Sequence, residues 1–452
     1  MKKQQFFIVL VLILYHLFLL MNLQFTVWPE MLSYPYFLNK GFKLYSDFIV
    51  PYPPLLIFAL SAGYSLLGVG PLFLKCLTWL MLSINDVIIF LIVLKLTKMT
   101  WKAALALLIY VSIQPLFEGN MMWFDIAIVT PLLLGLFFLV VKKNYFLSGF
   151  CFAIACLTKQ TTVLFLLVAF VYLVSKKNVV KTALRFLVAP IVLFLLFFVY
   201  LIIKGNFGDF LNWNLFYPFV YWSRFPGYVQ MKMGEFEIKS LLILFSPFVF
   251  MKLKRVGWER GETALLIFML LIAGVVVYPR FSFFHFQMGI AILSIFYGLL
   301  LNRKVGAVYL IVMLMMLGYI NRYNIVRQWN TEDRFYSTKD LEKAMVISRK
   351  VQVNERVYLL GVQSGFYSMS ERISPKPWFD NFGWYLEIPG VQDEILNKWE
   401  NDLPEIIFWQ EPEAGNWFDL GVYQPVKIAS WIQDNYNKEA LVWEGVWLWR
   451  RK

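Results

Sequence analysis

The chain has 452 residues, of which 60% are hydrophobic, 19% aromatic and 16% charged, with a formal net charge of +13. Water-soluble domains carry roughly 45–50% apolar and about 25% charged residues, so this composition excludes an ordinary soluble globular protein. Residues 1–320 hold 26 Lys and Arg against 10 Asp and Glu, whereas residues 321–452 hold 16 against 19. The basic excess therefore lies among apolar runs and forms no basic helix or RNA-binding signature, which argues against a nucleic-acid partner.

From the N-terminus, the apolar runs cover roughly 6–27, 71–94, 102–117, 124–141, 145–158, 161–175, 183–203, 240–251, 262–278, 282–300 and 305–320. A spanning helix needs about 20 apolar residues, so the reading is a multi-pass α-helical membrane protein with about 11 transmembrane helices. Run 6–27 follows Lys2 and Lys3, is too long for a signal peptide and lacks a small-residue cleavage site. It is expected to remain as the first helix. Basic clusters at Lys2/Lys3, Lys95/Lys98/Lys102, Lys142/Lys143, Lys176/Lys177/Lys181/Arg185, Lys252/Lys254/Arg255/Arg260 and Arg303/Lys304 fall at every second loop. By the positive-inside rule they place the N-terminus in the cytoplasm and the segment after about residue 321 outside, in a cytoplasmic-type cell membrane. This parity requires Pro54–Gly68 to lie along the outer interface rather than to span.

Beyond residue 320 the chain reads as a small α/β domain. Helices are expected at Asp340–Val351, Val391–Asn401 and Lys427–Tyr436, and strands at Arg356–Leu360, Glu405–Trp409 and Leu441–Trp449. The expected division is thus 1–320 for the membrane domain and 321–452 for an extracytoplasmic domain. Most of the tryptophans in this tail, including Trp378, Trp409 and Trp417, read as packing residues, with sugar stacking the alternative for some. The three cysteines all fall in apolar runs and only two histidines exist, so neither a cysteine cluster nor a poly-His metal site is available.

Candidate chemistry concentrates in the loops assigned to the outer side. The first carries Tyr45-Ser-Asp47-Phe and Pro51-Tyr52-Pro-Pro-Leu, where prolines stiffen the backbone around one acid. Asp47 is either a fixed carboxylate or a solvated loop acid. Asp125 opens a span at its outer end, where the helix dipole favours an acid as a cap; the alternative is a second acid facing a cleft. Lys159 separates two half-length apolar runs at Thr158-Lys159-Gln160-Thr161, so it must reach a surface or a wet cavity. Arg280 lies in Tyr278-Pro-Arg-Phe-Ser-Phe-Phe-His285, and a cation there either binds a phosphate or snorkels. Asp86 and His16, both within apolar runs, read as structural hydrogen-bonding residues.

The ordered set of a first span, an outer loop with Tyr45-x-Asp47-Phe and Tyr-Pro-Pro-Leu, an interfacial helix, and alternating spans with Lys159-Gln160 resembles the GT-C glycosyltransferases. Within them it is most similar to the protein O-mannosyltransferase and aminoarabinose-transferase branch, over roughly residues 6–320. The resemblance implies a fold with interfacial helices in the first outer loop. It also implies transfer of a hexosyl or pentosyl group from a polyprenyl-phosphate donor to a glycan, lipid or protein acceptor on the outer face. Asp47 then becomes the general base or acceptor-positioning residue and Asp125 the second acid. Lys159 and Arg280 become the donor-phosphate ligands, with Tyr45, Tyr52, Gln160 and His285 as substrate contacts. The acid pair often found in the first loop is here Ser46-Asp47, so no metal site is assigned, and a divalent cofactor stays open. A single displacement predicts inversion, with a carboxylate taking the acceptor proton and a cation stabilising the leaving phosphate. The alternative from another class is a transporter or flippase, which predicts matched broken helices; one short pair, 145–175, is visible and no second.

Overall fold

The computed structural model describes residues 2–175, 179–246, 248, 261–301, 303–411 and 424–452, with the backbone alone at 179 and 303–307. The expected basic residues Lys176, Lys177, Lys252, Lys254, Arg255 and Arg260, the side chains of Arg303 and Lys304, and Trp417 lie outside the described residues. The chain divides into two compact units. One comprises residues 1–26, 74–197 and 230–331; the other comprises 27–73, 198–229 and 332–452.

The first unit is helical. Among the described residues of the chain, six helices are long and apolar enough to cross a membrane: Lys3–Asn22, Pro71–Thr97, Phe124–Lys142, Val180–Lys204, Phe283–Leu300 and Val308–Gln328. Thr100–Leu116, Tyr145–Thr158, Gln160–Val174 and Gly261–Val275 coincide with further expected runs but are shorter, while the helix in the eighth run is described as Glu235–Phe245. The core of this unit is one apolar cluster from Val9 through Phe90, Leu132, Phe152 and Met269 to Leu317. Two helices keep broad apolar faces exposed, with Phe6, Phe7, Leu10, Leu14 and Phe18 on one and Leu184, Val188, Leu195 and Ile202 on the other. In a soluble protein such faces would drive aggregation; in a bilayer they meet lipid. Close helix packing depends on a small residue at Gly149, where an added Cβ would sit 1.9 Å from the Phe186 carbonyl oxygen. Lys102 donates to the Leu299 carbonyl at 3.0 Å, placing a cation on the C-terminal end of Gln287–Leu300, where the helix dipole favours it.

The second unit combines first-loop helices with a sheet. Pro29–Asn39 starts with proline, whose missing N–H costs nothing in a first turn. Leu55–Leu67 is 13 residues long, about 20 Å, and so too short to cross a bilayer core. β1 (Val357–Leu360), β2 (Ile406–Gln410), β3 (Tyr436–Trp443) and β4 (Val446–Arg451) form one sheet in the order β1-β2-β4-β3. β1 and β2 are parallel, in register from Val357 opposite Ile406 to Leu360 opposite Trp409. Parallel neighbours need a long crossover, supplied here by the helices Gly365–Ser370, Gly383–Leu386 and Val391–Trp399. The helices Thr338–Lys350 and Val426–Asn435 fall where the sequence places them. The single terminal strand expected at Leu441–Trp449 is instead a hairpin, β3 and β4, because Gly445 takes a left-handed conformation (φ +73°) and reverses the chain. Ser337 caps Thr338–Lys350 through a capping box with Asp340.

Candidate functional site

In the helical unit three of the residues singled out by sequence converge. Asp125 sits in the first turn of Phe124–Ala127 and is 1% exposed. Its Oδ1 accepts from Lys159 Nζ at 2.6 Å, and its Oδ2 lies 2.9 Å from His285 Nδ1. Lys159 was expected at a surface or in a wet cavity; it is buried, and Asp125 satisfies its charge. A buried ion is tolerated only when paired and hydrogen-bonded, so this arrangement fixes the break between Tyr145–Thr158 and the following helix. Arg280 lies on the segment that delivers His285. That segment is braced by Gln230, whose N–H donates to the Pro279 carbonyl at 2.8 Å and whose carbonyl accepts from the Phe281 N–H at 2.9 Å. Gln160, next to Lys159, opens the 3₁₀ turn Gln160–Thr162.

A chain of polar side chains runs from Asp86 and His16 to the loop that precedes Asp125 and the segment that carries His285. His16 Nδ1 meets Asp86 at 2.9 Å, and its Nε2 meets Gln114 Oε1 at 3.1 Å. Gln114 Nε2 donates to the Gly119 carbonyl and to Gln287 Oε1, and Gln287 Nε2 donates to the carbonyls of Phe117 and Phe283. The backbone carbonyls only accept, so both amides are oriented by the chain of partners, and His16 Nε2 must carry a proton. Glu118 adds a third tie, accepting from Ser282 Oγ and from the Phe284 N–H. The loop 114–125 and the segment 282–287 are thus held together on both sides of the Asp125–His285 contact. His16 and Asp86 are buried and hydrogen-bonded to each other, as the reading of them as hydrogen-bonding residues expects.

The second unit holds the first-loop residues. Asp47 Oδ2 accepts from Lys376 Nζ at 2.8 Å and from the Lys43 N–H at 2.9 Å, so this acid is neither free nor fully buried. Tyr45, buried with φ +69°, turns inward and donates to the Tyr52 carbonyl at 2.9 Å. Beside a nearby aromatic layer of Phe37, Tyr367 and Trp378, the same unit contains a pair of acids that sequence reasoning passed over. Glu30, in the first turn of Pro29–Asn39, and Asp380, just before Gly383–Leu386, are both at least nine-tenths buried. Burial raises the Glu30 carboxyl well above its usual range and the charge of Asp380 raises it further, while burial raises Asp380, opposed by the Asn381 N–H. Glu30 Oε2 has no hydrogen-bond partner among the described residues. Burial first, then a neighbouring tyrosine (Tyr385 for Tyr34, Tyr52 for Tyr385), and then Asp380 raise the phenols of Tyr34 and Tyr385. The signal for Glu30 was present: a lone acid directly after Trp28-Pro29, heading the apolar run Met31–Phe37, predicts a carboxyl carried into a core. For Asp380 it was the setting Trp378-Phe-Asp-Asn-Phe-Gly-Trp384-Tyr385.

Among the described residues no group of three or more His, Cys, Asp or Glu side chains could hold a metal ion. No family model and no curated protein matches the chain. Solved structures do. ArnT, an aminoarabinose transferase from Cupriavidus metallidurans, bound to undecaprenyl phosphate, is similar at a TM-score of 0.59 and 11% identity, covering 99% of this chain and 98% of that one. Its apo form is similar at a TM-score of 0.58 and 11% identity, covering 98% and 97%. The Archaeoglobus fulgidus oligosaccharyltransferase tethered to an acceptor peptide is similar at a TM-score of 0.57 and 9% identity, covering 90% of this chain and 69% of that one. Both proteins are GT-C glycosyltransferases, and at 9–11% identity the likeness is one of fold, which this chain shares over nearly its whole length.

Proposed function

We propose that the chain is a membrane glycosyltransferase. It takes a sugar from a polyprenyl-phosphate carrier and passes it, with inversion, to a hydroxyl of an envelope glycan, lipid or protein on the outer face of the membrane. The observation that carries this reading is the correspondence of nearly the full chain, sheet included, with a transferase bound to undecaprenyl phosphate.

Candidate groups are found in each unit taken by itself. Lys159 and Arg280 in the helical unit are assigned to the carrier phosphate, which gains charge as its bond to the anomeric carbon breaks. One of the lysine's three donors is committed to Asp125, so this acid aims the ammonium and holds His285. In the other unit the buried Glu30, whose Oε2 has no hydrogen-bond partner among the described residues, is assigned as the proton acceptor for an attacking hydroxyl. Burial, and then the charge of Asp380, raises this carboxyl above the ordinary carboxylate range. A base poised there is better matched to abstracting a hydroxyl proton than an ordinary carboxylate. Asp47, engaged by Lys376, positions the acceptor together with Tyr45 and Tyr52. In the transfer itself the acceptor oxygen bonds to the anomeric carbon, its proton goes to a base, and the carrier leaves as its phosphate.

Mass spectrometry of envelope lipids with and without the gene tests the function. Loss of the gene should accumulate the carrier with its sugar attached and remove that sugar from one glycan, lipid or protein. Unchanged pools of both would overturn the reading.

A further inference from the structure

A groove in the helical unit lies at the other end of the Phe124–Lys142 span from Asp125, some 17 residues and about 25 Å along the helix. It encloses about 400 Å³, within the ordinary range for small-molecule sites. Three lysines border it: Lys95 and Lys98 at the end of Pro71–Thr97, and Lys142. The wall is apolar, formed by Leu91, Leu94, Phe137 and Val141.

Local backbone brings the lysines together. Lys98 takes a left-handed conformation (φ +56°), turning the chain out of its helix at the groove's edge. The residues Phe138–Lys142 form a π-helical turn, which inserts an extra residue per turn and re-aims the side chain that ends it. Lys142 Nζ accordingly lies 5.9 Å from the Phe137 ring centroid, over the apolar wall. None of the three forms an ion pair among the described residues, whereas Lys159, Lys376, Lys398 and Lys427 all do. Charge on one rim and hydrocarbon on the wall match an amphiphile with an anionic head.

We infer that this groove binds an anionic phospholipid, its phosphodiester between Lys95, Lys98 and Lys142 and its first acyl methylenes against Leu91, Leu94, Phe137 and Val141. The same lysines belong to the loops that the positive-inside pattern assigns to the cytoplasmic leaflet, where anionic lipids attract basic residues. The inference does not depend on the transferase reading.

Native mass spectrometry of the purified full chain, released from detergent with phosphatidylglycerol, phosphatidylcholine or inorganic phosphate added separately, tests it. The expected result is retention of phosphatidylglycerol at least fivefold above phosphatidylcholine, with no competition by inorganic phosphate at equal concentration. The triple variant Lys95→Gln/Lys98→Gln/Lys142→Gln should lose that preference. A control of equal charge change elsewhere, Lys2→Gln/Lys3→Gln/Lys181→Gln, should keep it. Equal retention of both lipids, loss in the control as large as in the triple variant, or displacement of the lipid by inorganic phosphate would each overturn the inference. Unchanged melting temperatures of both variants identify the loss as one of binding.

Discussion

Asp125 and Glu30 are both buried carboxyls at the start of a helix, and their surroundings are opposite. Asp125 is clasped by a lysine at 2.6 Å and a histidine at 2.9 Å. Glu30 has, among the described residues, no ion-pair partner and an oxygen without a hydrogen-bond partner, and burial first and then the charge of Asp380 raise its carboxyl. The contrast shows that residue type and helix position do not assign a role. An acid neutralised by cations holds a site together, whereas an acid in an apolar setting under another acid's charge keeps its proton to higher pH.

Several measurements would break or sharpen this contrast. The largest effect is expected for Glu30→Gln, which should lower transfer by about 10²–10⁴-fold while leaving membrane protein levels intact, read as release of polyprenyl phosphate. Next, Lys159→Met leaves Asp125 buried without its ammonium and should cost about 3–5 kcal/mol of stability. The double variant Lys159→Met/Asp125→Asn should recover much of it in a thermal-melting comparison, because the orphaned charge is gone. If the double variant melts as low as the single one, the pair is not the reason Lys159 matters.

The third concerns pH. Glu30 and Asp380 hold their protons more tightly folded than unfolded, so the native state binds more protons between the ordinary carboxyl range and the raised one. Stability therefore falls as pH rises through that interval. Glu30→Gln/Asp380→Asn should flatten the slope in melting scans, whereas Asp125→Asn should not. The smallest effect is expected for the stability of Asp47→Asn: its ion pair with Lys376 is partly exposed, and its loss should cost no more than about 1 kcal/mol.

Much of the architecture was legible because apolar runs and charge alternate on the scale of a bilayer. The break at Lys159 and the helix Tyr145–Thr158 fell where expected. The parallel pairing of β1 with β2, and the hairpin that Gly445 makes of one expected strand, needed three dimensions. So did the site. Asp125, Lys159 and His285 were each visible as polar residues at apolar boundaries, but nothing in their spacing stated that they meet. Asp380 lies 350 residues from Glu30, and two acids that distant leave no local pattern by which to pair them. Lys376, the partner of Asp47, escaped for the same reason.

Steady-state transfer by the purified chain, supplied with a polyprenyl-phosphate-linked sugar and scanned across pH, puts the acid pair to its most direct test. Wild type should show an acid limb in the neutral range that moves toward lower pH in Asp380→Asn, with Glu30→Gln inactive throughout. An acid limb unmoved by Asp380→Asn, together with full turnover by Glu30→Gln, would contradict the assignment of the base.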